Sequence, residues 1–247
     1  MIAAARQDVE QQPATGAFGV VDRATEAELA ELVELIARGR TADVFALDGN
    51  RVLRRYRDGG DTALEAAIMR HVAGSGYPVP RVHEAHGADL VLERVQGPTL
   101  LDALVCGEVA VRSGAEILAD LHVRLHAVPP RPGDSQRIVH LDLHPGNVLL
   151  GPAGPVVIDW RNAAAGPPEL DLAVTALILA LVASDPEHPM RRQAAELLSA
   201  FAHLANGRLP SGLPGAVELR RADPNLSADE KARLETAATL IEAATTA

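Results

Sequence analysis

Short apolar runs separated by turn-forming residues occupy the first hundred residues of the chain. Two pairs of such runs flank Asp48-Gly49-Asn50 and Gly87, and each pair is typical of a β-hairpin. Between the pairs, apolar residues recur at helical spacing and are followed by Gly74, which is typical of a helix end. The pattern predicts strands at 44–47, 51–56, 82–86 and 89–95, and a helix at 62–73.

Beyond Thr99 the hydrophobic pattern lengthens to a helical period. Residues 116–126 predict an amphipathic helix, while the short apolar runs at 148–150 and 156–158 predict a small hairpin. The chain after Asp171 is predicted to be helical, apart from a loop at 207–215. Ser227 and Glu230 have the spacing of a capping box, which predicts another helix start. A strand-rich half therefore precedes a helix-rich half, and the predicted fold class is α+β.

The first residues give a weaker pattern. Residues 1–24 show no clear periodicity and are interpreted as an N-terminal arm. Thr25 and Glu28 fit a capping box and predict a helix start. The run at 32–37 either continues that helix or forms a strand, because periodicity cannot decide over so few residues.

Composition and charge exclude several classes of protein. Of the 247 residues, 47% are hydrophobic and 23% charged, as in globular proteins, and the net charge of −10 argues against a nucleic-acid partner. The longest apolar stretch, 172–183, is too short to span a bilayer, so no membrane association is expected. No secretory signal is visible and Cys106 is the only cysteine, which together favour the cytoplasm.

Candidate chemistry is concentrated in two segments of the second half. Residues 140–147 read H-L-D-L-H-P-G-N, and 156–160 read V-V-I-D-W. These segments supply Asp142, Asn147 and Asp159 from a loop and from the end of a buried strand. Phosphoryl transfer requires a carboxylate to orient the attacking hydroxyl and hard oxygen ligands to hold Mg²⁺ against phosphates. The three side chains match that requirement.

Two other interpretations of the loop stay open on the residues alone. The loop histidines can be buried hydrogen-bonding residues with Asp142 as a turn former. Alternatively, His140, Asp142 and His144 can form a transition-metal site, since imidazole and carboxylate are Zn²⁺ ligands. That arrangement leaves Asn147 unexplained, and Pro145 disfavours the helix that would set the histidine spacing.

The order of H-x-D-L-H-P-G-N, I-D-W and P-P-E-L-D-L-A resembles the aminoglycoside phosphotransferase and choline kinase-like family of small-molecule kinases. The resemblance covers about residues 35–180 and implies a two-lobed, protein-kinase-like fold. It implies that Asp142 is the catalytic base and that Asn147 and Asp159 bind magnesium. It also implies that His140 and Asp171 support the catalytic loop.

The resemblance is weaker in the strand-rich half. Gly39 lies where the family has its phosphate-covering hairpin, and Arg54 lies where relatives have a phosphate-binding lysine. Lys231 is the chain's only lysine, so arginine must supply this charge, and guanidinium binds phosphate well. Glu65 resembles the acid that pairs with the phosphate-binding cation. Glu93 and Val95 resemble the backbone segment that meets the adenine edge.

The resemblance implies an N-terminal nucleotide-binding lobe at 25–95 and a C-terminal catalytic and acceptor-binding lobe at 96–247. It implies transfer of the γ-phosphoryl group of ATP or GTP, with Mg²⁺, to a hydroxyl of a small molecule such as an aminoglycoside-like antibiotic, an amino sugar or a related alcohol. Aromatic residues make up only 2% of the chain, which disfavours choline. A protein kinase is disfavoured because Asp159 and Asp171 are too close for a long activation segment. The alternative is a nucleotide-binding, pseudokinase-like module without turnover; the sequence predicts no oligomeric state.

Overall fold

A computed structural model describes residues 34–39 and 41–246. The predicted arm at 1–24 and the capping box at Thr25 lie outside these residues. The run at 32–37, for which helix and strand were both open, contributes to a strand that begins at Glu34.

An antiparallel sheet forms the first lobe of the described chain. Its strand order is β1-β2-β3-β5-β4, so the central strand β3 pairs with both β2 and β5. The hairpin turn between β2 and β3 is stabilised by Asp48, whose Oδ1 accepts hydrogen bonds from the backbone N–H groups of Asn50 and Arg51 at 2.8 Å each. The strands are β1 (Glu34–Arg38), β2 (Ala42–Ala46), β3 (Arg51–Tyr56), β4 (Val82–His86) and β5 (Asp89–Glu93).

Among the described residues of this lobe, helix α1 (Ala63–Gly74) lies between β3 and β4 in the chain. Ile68, Met69 and Val72 are fully buried on one face, as their helical spacing predicts. Glu65 is buried on the same helix, and it meets two side chains of β3. Strand alternation sends Arg54 and Tyr56 to this helix, while Arg55 points to the other face and pairs with Asp89.

The second lobe is mainly helical and contains two short strand pairs, β6 with β9 and β7 with β8. The predicted α+β, two-lobed fold class is confirmed. The strands are β6 (Arg137–Val139), β7 (Val148–Gly151), β8 (Gly154–Val157) and β9 (Ala164–Gly166); the helices are α2 (Leu100–Val105), α3 (Val111–Ala127), α4 (Pro168–Ser184), α5 (Arg191–Leu204), α6 (Leu209–Ala222), α7 (Ala228–Ala232) and α8 (Leu234–Thr246).

The predicted loop at 207–215 is wrong, because α6 begins at Leu209 and continues through Gly212 and Pro214. Gly212 allows α6 to pack closely against α4. A Cβ on Gly212 would lie 2.0 Å from the carbonyl oxygen of Glu169, so only glycine lets α6 approach the start of α4 this closely. Local turn propensity was therefore overridden by a tertiary contact.

The structure also contains a helix that the hydrophobic pattern missed. Helix α2 is only six residues long, and its N-terminus has a capping box in which Thr99 and Asp102 bond each other's backbone N–H groups. The capping box predicted at Ser227 and Glu230 is confirmed at the start of α7.

The connection between the lobes packs tightly on the second lobe. Gly97 has a φ of 142°, and a Cβ there would lie 2.1 Å from the carbonyl oxygen of Leu150. This close approach of two backbones brings the segment after β5 against β7. Within the described residues, no helix is long and apolar enough to cross a membrane.

Candidate active site

Asp142 and Asn147 are held together by the loop between β6 and β7. A 3₁₀ turn at Pro145–Asn147 ends this loop, and it places the Asn147 side chain against Asp142. Asn147 Nδ2 donates to the Asp142 carbonyl oxygen at 2.9 Å and to its carboxylate Oδ2 at 3.3 Å. Both partners are acceptors, so the amide nitrogen must face them and Asn147 Oδ1 is directed elsewhere. That oxygen is available as a metal ligand.

Asp159 follows β8 in a left-handed backbone conformation, with a φ of 62°. This conformation is rare for residues other than glycine and starts a 3₁₀ turn at Trp160–Asn162. The Asp159 side chain is 40% exposed and accepts a hydrogen bond from Arg54 through Oδ1. Asp159 can therefore offer Oδ2 to a cation, and with Asn147 Oδ1 it forms a hard oxygen set that suits Mg²⁺.

Arg54 links the two lobes through a buried ion pair. Its Nη1 donates to Glu65 Oε1 at 2.5 Å and its Nη2 donates to Asp159. Burial alone would lower the pKa of Arg54, but the carboxylates of Asp159 and Glu65 raise it above its ordinary value. The guanidinium therefore stays charged in a buried position, as a phosphate ligand must.

Glu65 is shared by three groups. Its Oε1 also accepts from the backbone N–H of Trp160 at 3.1 Å, and its Oε2 accepts from the Tyr56 hydroxyl. Burial raises the pKa of the Glu65 carboxyl above its ordinary value, and the Arg54 charge opposes part of that rise. Burial also raises the pKa of Tyr56 well above its usual range, so the hydroxyl remains a donor. The helix of the first lobe is thus bonded directly to the turn that carries Asp159.

Asp171 lies at the start of α4 and is fully buried, unlike a solvated acid at a helix start. Its Oδ1 accepts from the Leu141 N–H at 2.7 Å and its Oδ2 from the His140 N–H at 3.1 Å. His126 Nε2 donates to Oδ2 at 2.9 Å. Burial alone would raise the pKa of Asp171, but the imidazoles of His122, 3.5 Å away, and His126 hold it far below its usual range. The carboxylate therefore holds the backbone just before Asp142.

The loop histidines do not form the alternative metal site. His140 is fully buried, and its Nε2 donates to the Ile158 carbonyl oxygen at 3.1 Å. His144 Nδ1 accepts from the Gly146 N–H at 3.1 Å. Among residues 34–39 and 41–246, the group of histidines and acids close enough to share an ion is instead His122, His126 and Asp171. Burial lowers the pKa of His140, which keeps its ring neutral.

The Asp142 carboxylate is partly exposed, and its pKa is raised. Burial and the nearby negative charge of Asp159 raise its pKa to about 6, against a smaller opposing effect of Arg220. Arg220 Nη1 lies 3.8 Å from Asp142 Oδ1. A carboxylate whose pKa lies near neutrality is suited to accept a proton from a hydroxyl.

Asp142, Asn147 and Asp159 line one cavity of about 1470 Å³ between the lobes. A single small-molecule pocket occupies roughly 300–1,000 Å³, so the cavity has room for two ligands. Gly39, Glu93 and Val95 line it from the first lobe, together with Arg54 and Glu65. The Gly39 N–H donates to the Ala42 carbonyl oxygen at 2.8 Å, which closes the tight turn between β1 and β2.

Arg161 lies within the 3₁₀ turn that follows Asp159, and its guanidinium carbon is 4.2 Å from the centre of the Tyr56 ring. Its Nη2 donates to Asp58. These contacts with Tyr56 and Asp58 connect Arg161 of the second lobe to the first lobe.

The phosphotransferase enzyme family (APH) matches this chain over residues 33–137 and 130–211. The match covers the sheet, α1, the catalytic-loop segment and the start of α6. The chain belongs to this family. The resemblance seen in the sequence is thereby confirmed.

The chain is similar to one curated kinase of known name. The 3-deoxy-D-manno-octulosonic acid kinase of Xylella fastidiosa (strain M12) is 28% identical over 174 residues, covering 60% of this chain and 66% of that protein. The chain therefore matches slightly less than two thirds of this curated relative.

Solved structures share the fold at low sequence identity. The gentamicin complex of APH(2")-IIa has a TM-score of 0.57 at 11% identity, covering 88% of this chain and 99% of that one. A thermostable mutant of aminoglycoside phosphotransferase APH(4)-Ia, in complex with AMP-PNP and hygromycin B, has a TM-score of 0.52 at 16% identity. The match covers 86% of this chain and 93% of that one. Amicoumacin kinase hAmiN, in complex with AMP-PNP, Ca²⁺ and Ami, has a TM-score of 0.52 at 15% identity, covering 93% of this chain and 96% of that one.

The sequence alone did not indicate several side chains of the candidate site. Tyr56 looked like an ordinary strand residue, and its alternation with Arg54 was the signal that both face α1. His126 appeared as part of an amphipathic helix, although it bonds Asp171 45 positions later in the chain. Arg220 lies beyond the matched residues, in the helix whose first part was predicted to be a loop, and nothing in the sequence indicated that it approaches Asp142.

Proposed function

We propose that this chain transfers the γ-phosphoryl group of ATP or GTP to a hydroxyl of a small molecule. The observation that carries the proposal is the juxtaposition of Asp142, Asn147 and Asp159 at one cavity, with the buried Arg54 cation bonded to Asp159. Chance placement of a lone H-x-D motif would not produce this set of contacts between two lobes.

Asp142 acts as the base that accepts the proton of the attacking hydroxyl. Its carboxylate faces the cavity, and its pKa of about 6 keeps it ionised at neutral pH while allowing it to bind a proton during transfer. Asn147 holds the carboxylate by its Nδ2 donation, and the backbone before it is held by Asp171 and by the buried His140.

Residues of both lobes bind the nucleotide. Arg54, oriented by Glu65, contacts the phosphate oxygens through charge-assisted hydrogen bonds. Glu93 and Val95 meet the adenine edge with their backbone, and Gly39 lets the β1–β2 turn approach the phosphates. We place the division between the nucleotide-binding and acceptor-binding lobes after residue 95.

Asn147 Oδ1 and Asp159 Oδ2 would hold Mg²⁺. The ion, when bound, supplies positive charge against the phosphate oxygens. Hard oxygen donors from one amide and one carboxylate suffice, because Mg²⁺ retains waters and also binds phosphates.

The acceptor is a hydroxylated small molecule in the half of the cavity beside Asp142. Aminoglycosides, amicoumacin and 3-deoxy-D-manno-octulosonic acid, the compounds named for similar proteins, are the first candidates. Amino sugars and simple alcohols complete the panel. ADP release measured above a blank without acceptor identifies the class that is used.

The test of the proposal is Asp142→Asn. The amide keeps the shape of the side chain but cannot accept the hydroxyl proton, so transfer should fall by about 10²-fold or more while nucleotide affinity changes only several-fold. Turnover by a folded Asp142→Asn protein at the wild-type rate would refute the role of Asp142. Nucleotide binding without any transfer by the wild-type protein would favour the pseudokinase-like alternative.

A further inference from the structure

Three arginine nitrogens of the described residues are buried without a hydrogen-bond partner, namely Arg161 Nη1, Arg220 Nε and Arg233 Nε. All three arginines line the cavity between the lobes. A buried cationic donor without an acceptor is costly, so its presence in a cavity wall indicates an anionic ligand. We propose that Arg220 and Arg233 form a subsite for a carboxylate or phosphate group of the acceptor. This inference rests on the proposed phosphotransferase function.

Arg220 places the subsite beside the reacting hydroxyl. Its side chain is 12% exposed, and Nη1 lies 3.3 Å from Asp223 Oδ2 and 3.8 Å from Asp142 Oδ1. The contact with Asp223 fixes one corner of the guanidinium and leaves Nε unpartnered. An anionic group bound to Arg220 would therefore lie close to the hydroxyl that Asp142 deprotonates.

Arg233 comes from a different element and approaches the same cavity. It follows α7, and its Nη2 lies 3.1 Å from Asp185 Oδ2, which holds the guanidinium in the way that Asp223 holds Arg220. Two arginines fixed by acids from separate elements make a rigid site, because the guanidinium groups need not be ordered when the ligand binds. Planar guanidinium groups match carboxylate and phosphate oxygens in geometry and charge.

Asp185, Asp223, Asp229 and Glu230 also line this part of the cavity. Asp185 and Asp223 are each paired with an arginine. Glu230 is engaged in the capping box with Ser227, whose N–H it accepts at 2.8 Å. Arg161 lies on the other side, where it braces Tyr56 and Asp58 next to the nucleotide half. Among the described residues, the buried donor that remains without a partner close to Asp142 is Arg220 Nε.

The experiment compares acceptors that share a hydroxylated sugar skeleton and differ in charge. Gluconate and glucose 6-phosphate are the anionic probes, glucose is the neutral partner, and glucosamine is the cationic one; 3-deoxy-D-manno-octulosonic acid is included. Wild type, Arg220→Gln, Arg220→Lys and Arg233→Gln are assayed for KM and kcat. Binding of the same probes to the ADP·Mg²⁺-loaded protein is measured by calorimetry. Comparison of gluconate with glucose 6-phosphate shows whether the protein recognises a carboxylate or a phosphate group.

The wild type should bind or phosphorylate at least one anionic probe better than glucose and glucosamine. Arg220→Gln and Arg233→Gln should weaken binding of that probe, or raise its KM, about ten- to hundredfold relative to the change measured with glucose. Arg220→Lys should recover part of the loss. Arg221→Gln is the matched control, because Arg221 is the next residue of α6 and pairs on the surface with Glu218 and Glu235; it should change nothing.

Equal or better use of glucosamine, no preference for any anionic probe, or equal effects of Arg220→Gln on charged and neutral probes would overturn the subsite. Thermal unfolding and Mg²⁺·ATP binding of each variant identify a folding defect, and Arg233→Gln tests the subsite independently. If the wild type binds Mg²⁺·ATP and phosphorylates only neutral or cationic acceptors, the subsite fails and the proposed function stands. If the wild type neither binds nucleotide nor transfers phosphate, the proposed function itself fails.

Discussion

Arg54 on β3 and Glu65 on α1 form a buried ion pair with an N···O distance of 2.5 Å, and the same guanidinium bonds Asp159 in the second lobe. Glu65 completes the connection by accepting the Trp160 N–H. One cation and one carboxylate therefore join the sheet, its helix and the turn of the candidate metal site. Arg54 can bond both acids at once, because guanidinium has several donors in a fixed plane.

Arg54→Ala should lower nucleotide binding, phosphoryl transfer or both by about one to two decades. The substitution removes a charge-assisted contact of roughly 1.5–3 kcal/mol and leaves the buried Glu65 without its cation. Arg54→Lys should restore part of the loss, because the charge remains and the planar fork does not. ATP affinity by calorimetry and transfer by ADP release measure the effect.

Arg55→Ala is the matched control for that loss. The Arg55→Ala substitution also removes a partly buried ion pair, with Asp89. Arg55 points away from α1 and from the cavity. Both variants should lose stability, and only Arg54→Ala should lose nucleotide affinity. Equal, small effects on ATP binding would show that neither arginine is the phosphate ligand and would direct attention to Arg161.

The effect of Mg²⁺ on nucleotide binding should require Asp159. Mg²⁺ or Mn²⁺ should strengthen nucleotide binding by the wild type, and Asp159→Ala should abolish that strengthening because one of two protein oxygen ligands is lost. Asp48→Ala is the control, since this acid lies in the exposed β2–β3 turn. Titration of ATP with and without the metal measures the difference. Purified protein that retains stoichiometric zinc through His140 and His144 would contradict the assignment.

Activity should fall on the acid side of neutrality with a midpoint near pH 6. Burial, assisted by the Asp159 charge, raises the pKa of Asp142 to about 6, and only the ionised form can accept the hydroxyl proton. Well below that pH, kcat/KM should drop about tenfold per unit, since the active fraction follows the ionised carboxylate. A pH profile of kcat/KM with no acid limb between pH 5 and 7 would count against Asp142 as the base.

The raised pKa of Asp142 also has a consequence for stability. The folded protein binds this proton more tightly than the unfolded chain does, so ionisation of Asp142 at neutral pH costs stability that protonation restores as the pH falls through 6. Asp142→Asn should therefore leave the melting temperature at pH 7.5 unchanged or raise it. This expectation makes the inactive variant a folded one, which thermal unfolding checks.

Gly212→Ala should destabilise the protein by about 1–3 kcal/mol or more, because its Cβ would lie 2.0 Å from the Glu169 carbonyl oxygen and α6 would have to move away from α4. Gly74→Ala is the control at the end of α1, where a Cβ would meet nothing within 4 Å. That substitution should be neutral or stabilising by about 0.5 kcal/mol. Denaturant unfolding of both variants measures the difference; a tolerated Gly212→Ala would contradict the close packing of the two helices.

The site could be predicted from the sequence only where neighbours in the chain carry it. Asp142 and Asn147 lie five positions apart, and one 3₁₀ turn suffices to bring them together. Arg220 approaches Asp142 from 78 positions later, through a helix whose Gly212 and Pro214 resemble a loop until α4 packs against it. No local pattern encodes that contact, because it depends on where two helices cross.

The sequence by itself determined the α+β order of elements, the hairpin turn at Asp48, the buried helix at 172–183 and the family, since each depends on local periodicity, turn chemistry or a short motif. Only the tertiary structure decided that Arg54 bonds Asp159, that Asp171 is fully buried among backbone N–H groups, and that arginines beyond residue 211 reach the cavity. These relationships join residues far apart in the chain. They are set by close packing between elements, and the sequence of either element alone does not contain that information.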